Sequence, residues 1–229
     1  MAAVTTMPGQ HTIAKTRPRH ASKAPVISCL LVDIGGVLLT DGWNHEDRAM
    51  ASKKFALNAD EMEIRHRQAF ETYEADALSL DRYLDLVIFY RPQSFSRKRF
   101  TAFMFAQSQP IPAMIALVRA LKEKYRLKVV VISNEARALN AHRIKKFALD
   151  TFVDSFVSSC FVHLRKPDPE IFRMALDIAQ VPAHQVVYLE DTPMFVDIAD
   201  EMGIHGILHT DVATTSAALA TFGLMVEKP

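Results

Sequence analysis

Residues 111–149, IPAMIALVRALKEKYRLKVVVISNEARALNAHRIKKFAL, hold a complete helix–strand–helix unit. In the first part Ile111, Met114, Ile115, Val118, Leu121 and Tyr125 share one helical face, with Lys122 and Lys124 outside it. That is the periodicity of an amphipathic helix. LKVVVIS (127–133) is a short β-branched run suited to a strand buried on both faces, and a polar helix, EARALNAHRIKKFAL, follows from 135 to 149. Outward from this unit the rhythm repeats. Upstream lies the apolar run VISCLLV (26–32). Downstream come the weaker strand TFVDSFVSS (151–159), the helix PEIFRMALDIAQ (169–180) with proline in its first turn, and the strand QVVYLE (185–190). The helix FVDIADEMG (195–203), closed by Gly203, and the short strand HGILH (205–209) complete the series. Strands alternating with helices predict an α/β fold with a doubly wound parallel sheet and right-handed crossovers.

Residues 43–109 break the rhythm. EDRAMASKKFAL (46–57) and DEMEIRHRQAFETYEAD (60–76) are rich in helix formers, and LSLDRYLDLVIFY (78–90) is a helix start with Ser79 as its cap. The expected organisation is a core from residues 26–42 and 110–229, with a helical cap, 43–109, inserted after the first strand. Residues 1–25 carry Lys15, Arg17, Arg19 and Lys23 and no acid, which predicts a disordered basic tail rather than a targeting segment.

Composition narrows the function classes. The 229 residues are 49% hydrophobic and 23% charged with a formal charge of +1, so nothing calls for nucleic acid or an anionic membrane as partner. No apolar stretch reaches the ~20 residues of a bilayer span. Cys29 and Cys160, without a CxxC, read better as buried thiols of a cytoplasmic protein than as a disulfide. Oligomeric state is not legible.

Four short pieces carry the chemistry: Asp33 in LLVDIGGVLL (30–39), Ser133 and Asn134 in VVVISNE (129–135), Lys166 in RKPDPEIF (165–172), and Glu190 and Asp191 in VVYLEDT (186–192). Three of them follow directly on a predicted strand. The carboxyl ends of parallel strands converge on one crevice, so a carboxylate, a hydroxyl–amide pair, an ammonium and two more carboxylates should meet there. That inventory suits a divalent metal and a phosphate. Read alone, Ser133-Asn134 is a helix cap, and Lys166 beside a proline is a surface residue. Their place in the series changes both readings.

In kind, order and spacing these pieces resemble the haloacid dehalogenase superfamily of hydrolases, from about Val26 to His209. The insert is similar to the small cap of its dehalogenase and epoxide-hydrolase-phosphatase branch. The resemblance implies a Rossmann-like core and a Mg²⁺-dependent hydrolase of a small phosphorylated metabolite or acyl phosphate. Asp33 would be the nucleophile, forming an aspartyl-phosphate. Asp33, Asp191 and the main-chain carbonyl of Gly35 would hold Mg²⁺, with Glu190 behind them or bound through water. Ser133 and Asn134 would hold phosphoryl oxygens, and Lys166 would bridge nucleophile and phosphate.

Two departures from the family pattern matter. Gly35 stands where phosphatases carry a leaving-group acid, a loss of roughly 10²–10⁴-fold on alkyl phosphates unless Asp41 or His45 substitutes. Phe195 replaces a polar residue that would orient Lys166, which predicts a less tightly held lysine. His163 could reach the site or tolerate an unusual backbone angle, the latter being preferred. The alternatives are a metal-free 2-haloacid-type dehalogenase, carbon–phosphorus cleavage through a cap lysine such as Lys53 or Lys54, and a non-catalytic protein binding a phosphoryl ligand or a partner.

Overall fold

The computed structural model describes residues 26–226; the expectation for residues 1–25 lies outside them. Five strands, β1 (Cys29–Val32), β2 (Lys128–Ser133), β3 (Ser155–Ser158), β4 (Val186–Glu190) and β5 (His205–Leu208), form one all-parallel sheet in the order β3-β2-β1-β4-β5. Between β1 and β2 come α1 (His45–Phe55), α2 (Ala59–Glu74), α3 (Leu80–Val87), α4 (Arg97–Ala106) and α5 (Pro112–Tyr125). The remaining crossovers carry α6 (Arg137–Lys146), the single turn α7 (Ser159–Val162), α8 (Pro169–Ala179) and α9 (Pro193–Glu201), and α10 (Val212–Thr221) follows β5.

Side-chain alternation sends the apolar residues of the central strands to one of two cores in turn. Leu30, Val32, Val129 and Val131 pack with Met114, Val118 and Leu121 of α5 and Leu219 of α10. Cys29, Leu31, Val130 and Ile132 face Ile171, Phe172 and Ala175 of α8 and Ala199 of α9. The sheet is therefore covered on both sides, as a parallel sheet requires. Leu117, outside the face read from sequence, is also buried in the first core. Cys29 and Cys160 are both buried free thiols. No helix among the described residues is long and apolar enough to cross a membrane.

The helices α1–α4 close around their own apolar centre of Phe55, Met62, Tyr73, Tyr83, Leu84, Phe100 and Met104. Aromatic packing organises it, with Phe55 at 5.0 Å from Phe100 and Tyr73 stacked at 4.3 Å on Tyr83. Ser79 caps α3 through the Arg82 N–H, as read from sequence.

One guanidinium ties this helical layer to the sheet. Arg143 of α6, almost wholly buried, donates to the carbonyls of Thr40 and Asp41 on the way into the layer and to Ser108 Oγ at 2.9 Å on the way out. It also pairs with Glu135. Gly42 sits at φ +81° against this group; any β-carbon there would strike Arg143 and Ser108.

Candidate active site

The C-terminal ends of β1, β2 and β4 open into a cavity of about 420 Å³, roofed by residues of α1, α2 and α4. Asp33, Ser133, Asn134, Lys166 and Asp191 all line it. Asp33 leaves β1 with Oδ1 accepting from the Ile34 N–H at 2.7 Å. Its Oδ2 lies 3.1 Å from Lys166 Nζ, which also meets Glu190 Oε2 at 2.5 Å and the Tyr188 hydroxyl at 3.1 Å. Tyr188 and Glu190 are two residues apart on β4 and so share a face; the hydroxyl also donates to Glu190.

Lys166 is therefore fixed from several sides, contrary to the looser ammonium expected from Phe195. The Phe195 ring centroid lies 4.9 Å from Nζ, so the aromatic face replaces a hydrogen bond with a cation–π contact. The Asn134 side chain serves the lysine segment. Its Oδ1 accepts from the Lys166 N–H at 2.9 Å and its Nδ2 donates to the Lys166 carbonyl at 2.8 Å. The amide holds the lysine segment in place.

Asp33, Glu190 and Asp191 bring carboxylate oxygens within 4.8 Å of one another. Three acids share a single ammonium, so the cluster has room electrostatically for a divalent cation, and its all-oxygen donor set suits Mg²⁺. Burial pushes Asp33 up to about 6 despite Lys166, and burial also raises Asp191. A cation would relieve both. Glu190 is turned away from that duty: Oε1 accepts from the Asp191 and Thr192 N–H groups at 3.1 and 3.0 Å, and Oε2 is taken by Lys166 and Tyr188. Both of its oxygens are thus engaged within the chain, whereas Asp33 and Asp191 line the cavity.

Gly36 has φ +67°, and a β-carbon there would collide with the Asp191 carboxylate. Gly36→Ala is expected to displace Asp191 and weaken Mg²⁺ binding roughly tenfold or more, as measured by isothermal titration.

Other sequence readings sort plainly. Asp41 lines the cavity, and its Oδ1 would be 3.4 Å from a β-carbon on Gly35, whereas His45 is exposed and leans on Glu63 at 3.5 Å. His163 has φ +59° and bonds the Ala75 carbonyl at 2.8 Å, outside the cavity lining. Lys53 and Lys54 are exposed on α1, which removes them as covalent lysines of this site. Sequence reading missed Tyr188 and the roof residues Trp43, Arg48, His66, Phe70, Tyr73 and Glu74. Tyr188 was findable, because the period of two puts it beside Glu190. The roof residues had no comparable signal.

Known proteins bear on this geometry. The family model described as haloacid dehalogenase-like hydrolase matches residues 27–203. The chain is 30% identical over 129 residues to bifunctional epoxide hydrolase 2 of Rattus norvegicus, covering 54% of this chain and 23% of that protein. It is 28% identical over 102 residues to a phosphorylated carbohydrates phosphatase of Thermotoga maritima, covering 43% of this chain and 47% of that one. The chain thus matches less than half the length of either relative. Among solved structures, a HAD family enzyme of Bacteroides thetaiotaomicron, in complex with magnesium and inorganic phosphate, superposes with TM-score 0.68 at 20% identity, over 80% of this chain and 93% of that one. An L-2-haloacid dehalogenase superposes with TM-score 0.60 at 17% identity, over 81% and 87%. At these identities the likeness is one of fold.

Proposed function

Because the chain belongs to the haloacid dehalogenase-like hydrolases, we propose that it is a Mg²⁺-dependent phosphohydrolase of small phosphorylated metabolites or acyl phosphates. The observation that carries this reading is the cluster of Asp33, Glu190 and Asp191 around the single ammonium of Lys166. A metal-free dehalogenase has no use for that excess of negative charge. The relatives that act on phosphorylated carbohydrates and bind magnesium with phosphate support the same choice.

In this reading residues 43–109 are the cap over the core, and Asp33 is the nucleophile. Its carboxylate attacks phosphorus, the bond to the leaving oxygen breaks, and an aspartyl-phosphate forms; water then attacks phosphorus and returns Asp33. Mg²⁺ held by Asp33, Asp191 and the Gly35 carbonyl would offset the repulsion between carboxylate and phosphate. Lys166 sits against Asp33 and neutralises charge on nucleophile and phosphoryl oxygens alike. Ser133 and the N–H groups beyond it hold the phosphoryl group. Asp41 stands beside Gly35; with no acid at Gly35 itself, leaving groups that need no proton turn over fastest.

Release of p-nitrophenol from p-nitrophenyl phosphate and of phosphate from acetyl phosphate tests the proposal, since neither leaving group depends strongly on an acid. Turnover should require Mg²⁺ and fall to background with EDTA. Turnover unchanged by EDTA, or absent in its presence and absence alike, overturns the reading.

A further inference from the structure

The cavity walls carry an electrostatic selection. Among the described residues three cations line it, Arg48, Arg143 and Lys166, and each already has an acid partner. Arg48 is the cation of the roof. Its Nε and Nη2 donate to the two oxygens of Glu63 at 2.5 and 3.0 Å, and its Nη1 donates to the Trp43 carbonyl at 2.6 Å. Burial alone would lift the Glu63 carboxyl, yet the Arg48 guanidinium holds it below the usual carboxylate range, so the pair stays charged on both sides. Glu74 is likewise bound by Arg165 at 2.7 Å. Asp41 remains as a carboxylate with an amide partner, Asn44, and no cation bonded to it among the described residues.

The roof's imidazole is neutral. Trp43 Nε1 donates to the Tyr83 hydroxyl at 2.8 Å, and that hydroxyl is also hydrogen-bonded to His66 Nδ1 at 2.8 Å. Burial and then the Arg48 guanidinium push the imidazole down to about 4, which keeps it uncharged at any ordinary assay pH. Phe70 stacks on it at 5.2 Å, and Trp43, Tyr73 and Met104 line the same cavity.

We infer that the site, acting as the phosphohydrolase proposed above, selects phosphomonoesters whose leaving group is uncharged and rejects those carrying a carboxylate. An anionic substituent entering the roof would meet aromatic walls, a neutral imidazole and Asp41, with no unpaired cation among the described residues that line the cavity. A buried charge without a partner is strongly disfavoured, whereas a hydroxyl or amide loses far less than a charge and an aryl group gains by burial.

The test compares 4-carbamoylphenyl phosphate with 4-carboxyphenyl phosphate, which match in shape and differ in charge, with p-nitrophenyl phosphate as control. The native protein should prefer the carbamoyl ester by about 10–100-fold in kcat/KM. Glu63→Gln releases Arg48 toward the cavity and should narrow that preference about tenfold, chiefly by lowering KM for the carboxylated ester. Adding Arg48→Met to Glu63→Gln should restore it. Equal or faster hydrolysis of the carboxylated ester by native protein overturns the inference and leaves the phosphohydrolase reading standing. A preference unmoved by Glu63→Gln in a variant still active on p-nitrophenyl phosphate overturns the role of the Arg48–Glu63 pair. Failure of native protein on p-nitrophenyl phosphate itself is the distinct result that removes the function and this selection together.

Discussion

Asp33→Asn is expected to reduce hydrolysis of p-nitrophenyl phosphate and acetyl phosphate to background, a loss of roughly 10⁵-fold or more. The amide has the shape of the carboxylate but is a far weaker nucleophile, and it takes away the negative charge that faces Lys166 at 3.1 Å. The fold should survive. Asp33 is buried and pushed up to about 6, so its ionised form is not what stabilises the core, and Lys166 keeps Glu190 as a partner. A thermal melt within a few degrees of native, beside the lost turnover, assigns the effect to chemistry. Residual Mg²⁺-dependent turnover above one part in about 10³ would mean that another group attacks phosphorus.

Lys166→Met should damage activity and stability together, which separates it from Asp33→Asn. Methionine fills a similar volume but leaves Asp33, Glu190 and the Tyr188 hydroxyl without their ammonium in a fully buried place. Removing one member of a buried pair costs about 3–5 kcal/mol, since the surviving charge is uncompensated. For a chain of this size that lowers Tm by roughly 6–20 °C. The rate should fall about 10²–10³-fold, the usual consequence of deleting one preorganised donor to developing charge. Calorimetry of the metal-free protein and kcat at saturating Mg²⁺ read the two effects separately. A variant with native Tm would show that Lys166 is not integrated into the fold as its contacts imply.

The sheet and the residues at its strand ends were legible because both obey local rules. Apolar β-branched runs such as KVVVIS and VVYLE cannot sit comfortably anywhere but between two helical layers, and the end of a parallel strand is a fixed address. Asp33, Ser133 and Asp191 could be placed together on that ground. Side-chain partners could not. Nothing local says that the Asn134 amide clasps the Lys166 backbone, or that a tyrosine and a phenylalanine hold the ammonium where a polar residue was expected. The roof was less legible still. Trp43, His66 and Tyr83 meet across three separate segments, and only packing brings them to one chain of hydrogen bonds. Helix α10, VATTSAALAT, was missed for a simpler reason: its small and hydroxylated residues give a weak apolar stripe, and its start depends on Asp211 capping Thr214.

The strand order has a consequence for how the molecule is made. β1 is central in the sheet yet comes first in the chain, and each of its residues pairs with one from β2 and one from β4. During synthesis the wholly buried CLLV segment emerges long before Lys128 or Val186 exists to pair with it. Helices α1–α4 emerge in the interval with an apolar centre largely their own, so they can condense while β1 waits. Sheet formation then depends on contacts distant in sequence, the slowest kind to find. The helical layer thus has an earlier use than roofing a cavity: it occupies, with compact structure, the stretch of chain that separates the central strand from its first partner.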